Sequence, residues 1–124
     1  MVWETRKIFE DESIEVNPTC VRIPVFFGHS EAVHIETKQA ISAEQAKELL
    51  ASAKGVEVID ERVDPDFPTP VRDAAGTDPV FVGRIRRDLS TETGLNLWVV
   101  SDNVRKGAAL NSIQIAEVLI KHLQ

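Results

Sequence analysis

No stretch constrains the fold of this chain more than Leu95-Asn96-Leu97-Trp98-Val99-Val100, which becomes continuously apolar at Trp98-Val99-Val100. A strand with one face in water alternates apolar and polar residues, whereas an unalternating strand is covered on both faces. The segment is therefore expected at the centre of a sheet with material on either side. Pro79 to Ile85 reads as a second strand, and the polar connection Asp88-Leu89-Ser90-Thr91-Glu92-Thr93-Gly94 makes the two an antiparallel pair.

The other elements fall around that pair. Met1 to Glu10 predicts a short helix with no N-cap before Val2, as though cut from something longer. Ala32 to Thr37 alternates, with Val33 and Ile35 on one face and His34 and Glu36 toward solvent. Ser42-Ala43-Glu44-Gln45 fits a capping box and opens a helix with Ala46, Leu49, Leu50 and Ala53 as its apolar stripe. Gly55 stands at its C-terminal end, and Gly55 to Asp60 is a further strand. Glu61 to Asp78, with Pro65, Pro68, Pro70 and Gly76, reads as a long ordered excursion over the surface.

Ser101-Asp102-Asn103 offers N-cap residues for a closing helix whose core stripe is Leu110, Ile113, Ala116 and Ile120, extended by Ala109 and Leu123. Gly107, Ala108 and Ala109 would let a backbone or a ligand come close there, and free amides at a helix start suit an anion. Five or so strands with two substantial helices predict an α+β fold in one domain, a sheet backed by helices.

The net charge of -6 argues against a nucleic-acid binder, since such affinity rests on clustered Lys and Arg. The densest basic cluster, Arg84, Arg86 and Arg87, is followed by Asp88 and Glu92 and reads as an exposed strand face. One cysteine cannot form an internal disulfide, and no apolar run approaches a membrane span, so a cytoplasmic protein without membrane contact is expected.

The chemistry-bearing stretch runs from Thr19 to Thr37. Val21, Ile23, Val25, Phe26 and Phe27 favour strand, and Pro24 and Gly28 mark a bend. Arg22 and His29 lie seven apart, on opposite faces of an unbroken strand, so they meet only if a bulge at Phe27-Gly28 shifts the phase. Local chemistry leaves a solvated Arg and a turn His as the plainer reading beside a joint site. Cys20, two residues from Arg22, reads as a packed core residue rather than a thiolate nucleophile. Neither a glycine-rich phosphate cradle nor metal-ligand spacing occurs, and no metal is expected.

Taken together, Val2 to Ile8, the Arg22 to His34 run, Pro68-Thr69-Pro70-Val71, Pro79 to Arg86 and Gly94 to Asn111 resemble the C-terminal catalytic and dimerisation domain of the aspartate-semialdehyde dehydrogenase family. The resemblance implies a mixed, largely antiparallel sheet with helices packed on one face, like the C-terminal domain of glyceraldehyde-3-phosphate dehydrogenase-like enzymes. It implies NADP-dependent interconversion of L-aspartyl-4-phosphate and aspartate-4-semialdehyde, in lysine, threonine and methionine biosynthesis.

By the same resemblance, His29 matches the general acid/base, Arg22 the grip on the substrate carboxylate, and Asn103 an NADP contact, beside the Lys106-Gly107-Ala108 turn. These types suit those tasks: imidazole exchanges protons near neutrality, and guanidinium grips a carboxylate with two parallel donors. Residues 1–124 then form the dimerisation and substrate domain, with the N-terminal Rossmann domain and its nucleophilic cysteine absent. Such a chain is expected to homodimerise, to need a separate Rossmann domain for activity, and not to hold NADP alone. The alternative is a noncatalytic dimerisation or regulatory module derived from that enzyme.

Overall fold

The computed structural model describes residues 1–61 and 67–123. Four strands, β1 (His29–Glu36), β2 (Val56–Val58), β3 (Val80–Arg87) and β4 (Gly94–Ser101), form one sheet in the order β1-β4-β3-β2. β4 is flanked by antiparallel neighbours, with Val100 opposite both Ser30 of β1 and Phe81 of β3. β2 joins β3 in parallel, with Val58 opposite Val82. The central strand, the antiparallel pair and the mixed, largely antiparallel α+β sheet are thus as the sequence implies.

Each face of the sheet carries its own core. On one, helix α2 (Ala43–Ser52; the label α1 is kept for Val2–Phe9) buries Ala46 against Val82, Ile85 and Leu95, with Leu97 and Val99 beside them. On the other, a wide helical turn, Pro70–Ala74, sets Ala74 against Phe81 and Val100, flanked by Trp98. Leu97 and Val99 therefore serve one core and Trp98 and Val100 the other, which is why β4 does not alternate. Burying a side chain such as Leu95, 1% exposed, contributes about 1.5–3 kcal/mol. The Trp98 indole N–H donates to the Pro68 carbonyl at 2.8 Å, so its polar edge is satisfied while its ring packs.

Local chemistry sets the ends of these elements. The Ser42 hydroxyl accepts the Gln45 N–H at 3.1 Å and the Gln45 side chain accepts the Ser42 N–H at 2.9 Å, the reciprocal box read from the sequence. Leu49, however, is exposed, so the buried stripe of α2 is narrower than expected. The short helix α1 is present, but Trp3, Ile8 and Phe9 on it face outward. Of the excursion from Glu61 to Asp78, residues 62–66 lie outside the described residues. The rest is ordered over the sheet by Pro68, fully buried, and by the Thr69-capped turn.

The closing helix departs from expectation. Helix α3 (Leu110–Leu123) buries none of its residues, and Ile113 and Ile120 of the expected core stripe are exposed. The cause lies before it: Lys106, Gly107 and Ala108 leave helical dihedrals, Gly107 at φ 81°, and α3 packs chiefly on that turn rather than on the sheet. Ser101-Asp102-Asn103 likewise does not cap α3. Asp102 caps the intervening turn, accepting the Val104 N–H at 2.9 Å. Among the described residues no helix is long and apolar enough to cross a membrane.

Candidate functional site

The stretch expected to be a bulged strand carrying Arg22 is irregular from Thr19 to Phe27. Strand propensity measures fit to a half-buried pleated surface, and these side chains find none: Phe26 is 100% exposed and Val21 is exposed as well. Pro24 can donate no ladder bond and sits instead in a three-residue turn, where the Val25 N–H donates to the Ile23 carbonyl at 3.0 Å. Regular structure resumes only at His29. The bend falls at Gly28, at φ 95°, so the phase shift that a bulged strand would have needed does not arise.

What fixes Gly28 is the far end of β4. The Asn103 side-chain oxygen accepts the Gly28 N–H at 3.0 Å, across 75 residues of sequence. His29 next to it stands opposite Ser101 in the ladder. A methyl group at Gly28 would lie 2.7 Å from Cβ of Pro70 and 3.5 Å from the Ser101 carbonyl, so the backbone passes close beneath the Pro70 turn.

That turn is itself tied down. The Thr69 N–H donates to the Asp73 carboxylate at 2.6 Å, and the Arg72 guanidinium donates to the same group at 2.9 Å. Burial pushes the Asp73 carboxyl up, but these bonds outweigh it and hold it below its ordinary range. Asp102, 4% exposed, reaches across to the end of the turn and accepts the Gly76 N–H at 2.7 Å. That amide is the chief cause of a lowered Asp102 carboxyl, opposed by burial and reinforced by the amides of Val104 and Arg105.

Ser101, Asp102 and Asn103 therefore hold, in turn, His29, the Pro70–Gly76 turn and Gly28. Sequence reasoning missed this clamp. Thr69 followed by Pro70 was a readable helix-start signal, a capping hydroxyl before proline at the first turn.

Of the three site residues expected, the structure joins Asn103 to the backbone beside His29, while Arg22 lies in the irregular stretch, with no hydrogen bond between it and His29. The Arg22 guanidinium and the His29 ring are exposed and have no partner among the described residues, which leaves both open to a ligand. The Ser30 hydroxyl, next along β1, is buried without a partner among the described residues. Asn103 keeps its amide nitrogen without a partner among the described residues, so both of its N–H groups are left to donate to a ligand.

Cys20 is not a core residue: it is exposed, its thiol 3.6 Å from the Met1 sulfur, because the stretch around it has no sheet to pack on. His34 is exposed as expected, yet its Nδ1 lies 2.8 Å from the Asp88 carboxylate at the opposite end of β1 from His29. Among the described residues no group of three or more His, Cys, Asp and Glu is placed to hold a metal ion.

A mixed sheet of this order with helices is the fold of the C-terminal portion of a dehydrogenase. Residues 1–106 match the family described as semialdehyde dehydrogenase, dimerisation domain, and the chain belongs to it. Its relatives are aspartate-semialdehyde dehydrogenases, and the chain corresponds to a C-terminal portion of that enzyme. The enzyme of Shewanella sp. (strain DB6705) is 62% identical over 121 residues, covering 98% of this chain and 35% of the relative.

Solved structures agree. Aspartate semialdehyde dehydrogenase II of Vibrio cholerae, complexed with ASA, superposes with a TM-score of 0.92 at 60% identity over 98% of this chain and 35% of that one. The enzyme of Francisella tularensis superposes with a TM-score of 0.83 at 27% identity, over 94% and 33% of the two chains. The chain thus spans about a third of the length of the relatives it matches, 35% of the Shewanella enzyme.

Proposed function

We propose that this chain is the substrate and dimerisation portion of an aspartate-semialdehyde dehydrogenase, with His29 as the proton carrier and Arg22 as the grip on the substrate carboxylate. The reaction is the reversible conversion of aspartate-4-semialdehyde, phosphate and NADP to L-aspartyl-4-phosphate, NADPH and a proton, in lysine, threonine and methionine biosynthesis. The observation that carries this reading is the hold of Asn103 on Gly28 and of Ser101 on His29, within a fold superposing on an enzyme solved in complex with ASA. A clamped backbone fixes where the His29 side chain begins, and the exposed Arg22 guanidinium, without a partner among the described residues, is free to take a carboxylate.

A Rossmann portion, separate from residues 1–124, supplies the nucleophilic thiol and the main dinucleotide site in this reading. NADP supplies a hydride acceptor there. Asn103 contributes its side-chain NH2 as a donor group toward it. His29 holds the proton leaving the thiol and returns it to the substrate oxygen. The protein works as a homodimer in the cytoplasm, in keeping with a matched family described as a dimerisation domain and with a lone cysteine that cannot form an internal disulfide.

The test is to mix the 124-residue chain with a separately produced Rossmann portion of such an enzyme and follow phosphate-dependent NADP reduction by aspartate-4-semialdehyde. Turnover is expected from the mixture and not from the chain alone. A demonstrated complex without turnover contradicts the catalytic reading and supports the second one, a noncatalytic dimerisation or regulatory module. The exposed apolar residues of α1 and α3 are what favour that alternative. A monomer in sedimentation at high concentration counts against both readings.

A further inference from the structure

We propose that Asn103 is a positioning residue for His29, acting through the Gly28 amide, in addition to any contact it makes with a cofactor. The inference rests on the reading of His29 as the proton carrier. Its ground is the division of labour in one amide group: Oδ1 accepts the Gly28 N–H at 3.0 Å, and the nitrogen, without a partner among the described residues, is left to face a ligand.

Gly28 is the last residue before the ladder and sits at φ 95°, a conformation its own chain does little to enforce. The preceding residues give no support, since they are irregular and exposed. The Asn103 oxygen on its amide holds the bend, and Pro70 lies so near that a methyl group added at Gly28 would come within 2.7 Å of its Cβ. Pro70 is kept in place at one end of its turn by the Thr69 and Asp73 bonds and at the other by Asp102 on Gly76.

The bend fixes where β1 begins, and His29 is its first residue, opposite Ser101. Loss of the Asn103 oxygen leaves the ladder to hold His29 from one side only. The imidazole then samples a range of positions, and misplacement of a reacting group by 1 Å costs on the order of a hundredfold in rate. Asn103 thus couples the place where a cofactor is expected to the place of the proton carrier through one side chain.

The experiment compares Asn103→Ala, which removes both functions, with Asn103→Asp, which keeps an oxygen for Gly28 and removes the donor. In the 124-residue chain, NMR follows hydrogen exchange of the Gly28 amide and the ring resonances of His29. Exchange at Gly28 is expected to quicken about tenfold or more in Asn103→Ala, as befits loss of a hydrogen bond worth roughly 1.4 kcal/mol, with the His29 resonances shifted or broadened. Asn103→Asp is expected to restore Gly28 protection while still weakening NADP binding in the complemented enzyme.

Equal protection of Gly28 in Asn103→Ala, or His29 resonances that do not move, overturns the proposal. Should Asn103→Ala not fold, the unmodified chain still decides, because a Gly28 amide exchanging at the rate of a free peptide overturns it as well. Gly28 and His29 responding as expected, with no turnover in the complemented mixture, would leave the bond standing and refute the catalytic reading instead.

Discussion

Strand β4 and helix α3 are both rich in large apolar residues, and they end in opposite environments. Leu95 and Val100 on β4 are 1% and 0% exposed, while Ile115 and Leu123 on α3 are 67% and 76% exposed. β4 has a covering layer on each face, α2 on one and the Pro70–Ala74 turn on the other. α3 leaves the sheet at the Gly107 kink and meets no such layer. Apolar patterning therefore says that a surface wants covering and does not say what covers it. Where this chain supplies both partners the pattern gives a core, and where it supplies one the pattern gives an exposed face.

The sharpest way to break that contrast is to truncate matched residues in the two regions. Leu95→Ala is expected to cost about 2–5 kcal/mol in denaturant unfolding, since the cavity lies where neighbours from α2 and β3 cannot collapse. Gly28→Ala comes next, at about 1–3 kcal/mol for a side chain held in the left-handed region, with the Pro70 contact at 2.7 Å adding to it. It should also lower turnover in the complemented enzyme, whereas Gly55→Ala, with open space around it, should cost strain alone. Equal losses of turnover in the two variants would remove the Pro70 contact from the account.

Acid exposes a smaller effect. The Asp102 carboxyl is lowered in the folded chain, chiefly by the Gly76 amide. Its contribution is therefore complete above the unfolded value, about 3.9, and is lost as pH falls below it toward the folded value. Asp102→Asn should flatten the dependence of stability on pH in that window, and an unchanged slope would assign the acid sensitivity to other carboxylates. Smallest of all is Ile115→Ala on α3, expected within about 0.5 kcal/mol of the unmodified chain when measured at concentrations where it is monomeric. A cost there approaching that of Leu95→Ala would mean that α3 is covered within the monomer, and the contrast between the two regions would fall.

How much was legible divides along the same line. The central place of Trp98-Val99-Val100, its antiparallel partner and the Ser42-Gln45 box were readable because the causes are local or periodic. The stretch from Thr19 to Phe27 was misread because its strand propensity had no neighbouring strand to act on, and Cys20 was misplaced with it. The closing helix was right in kind and wrong in environment, since one glycine with positive φ redirected it. The roles given to His29, Arg22 and Asn103 rest on resemblance to a family, although local chemistry already singles out Arg22 and His29. The bond that ties Asn103 to Gly28 spans 75 residues, and no spacing rule reaches so far. Asp102 is expected as a cap of the closing helix and caps the turn before it instead, while its hold on Gly76 is tertiary and has no local signal.

The most direct test of the central claim is the turnover of the complemented enzyme with His29→Ala in place of the unmodified chain. Activity is expected to fall on the order of a hundredfold or more, the range for losing a general acid/base, while the complex with the Rossmann portion still forms. Turnover that survives the substitution at its former rate, in a complex of the same stoichiometry, would show that His29 carries no proton in this reaction and that the clamp around it serves the fold alone.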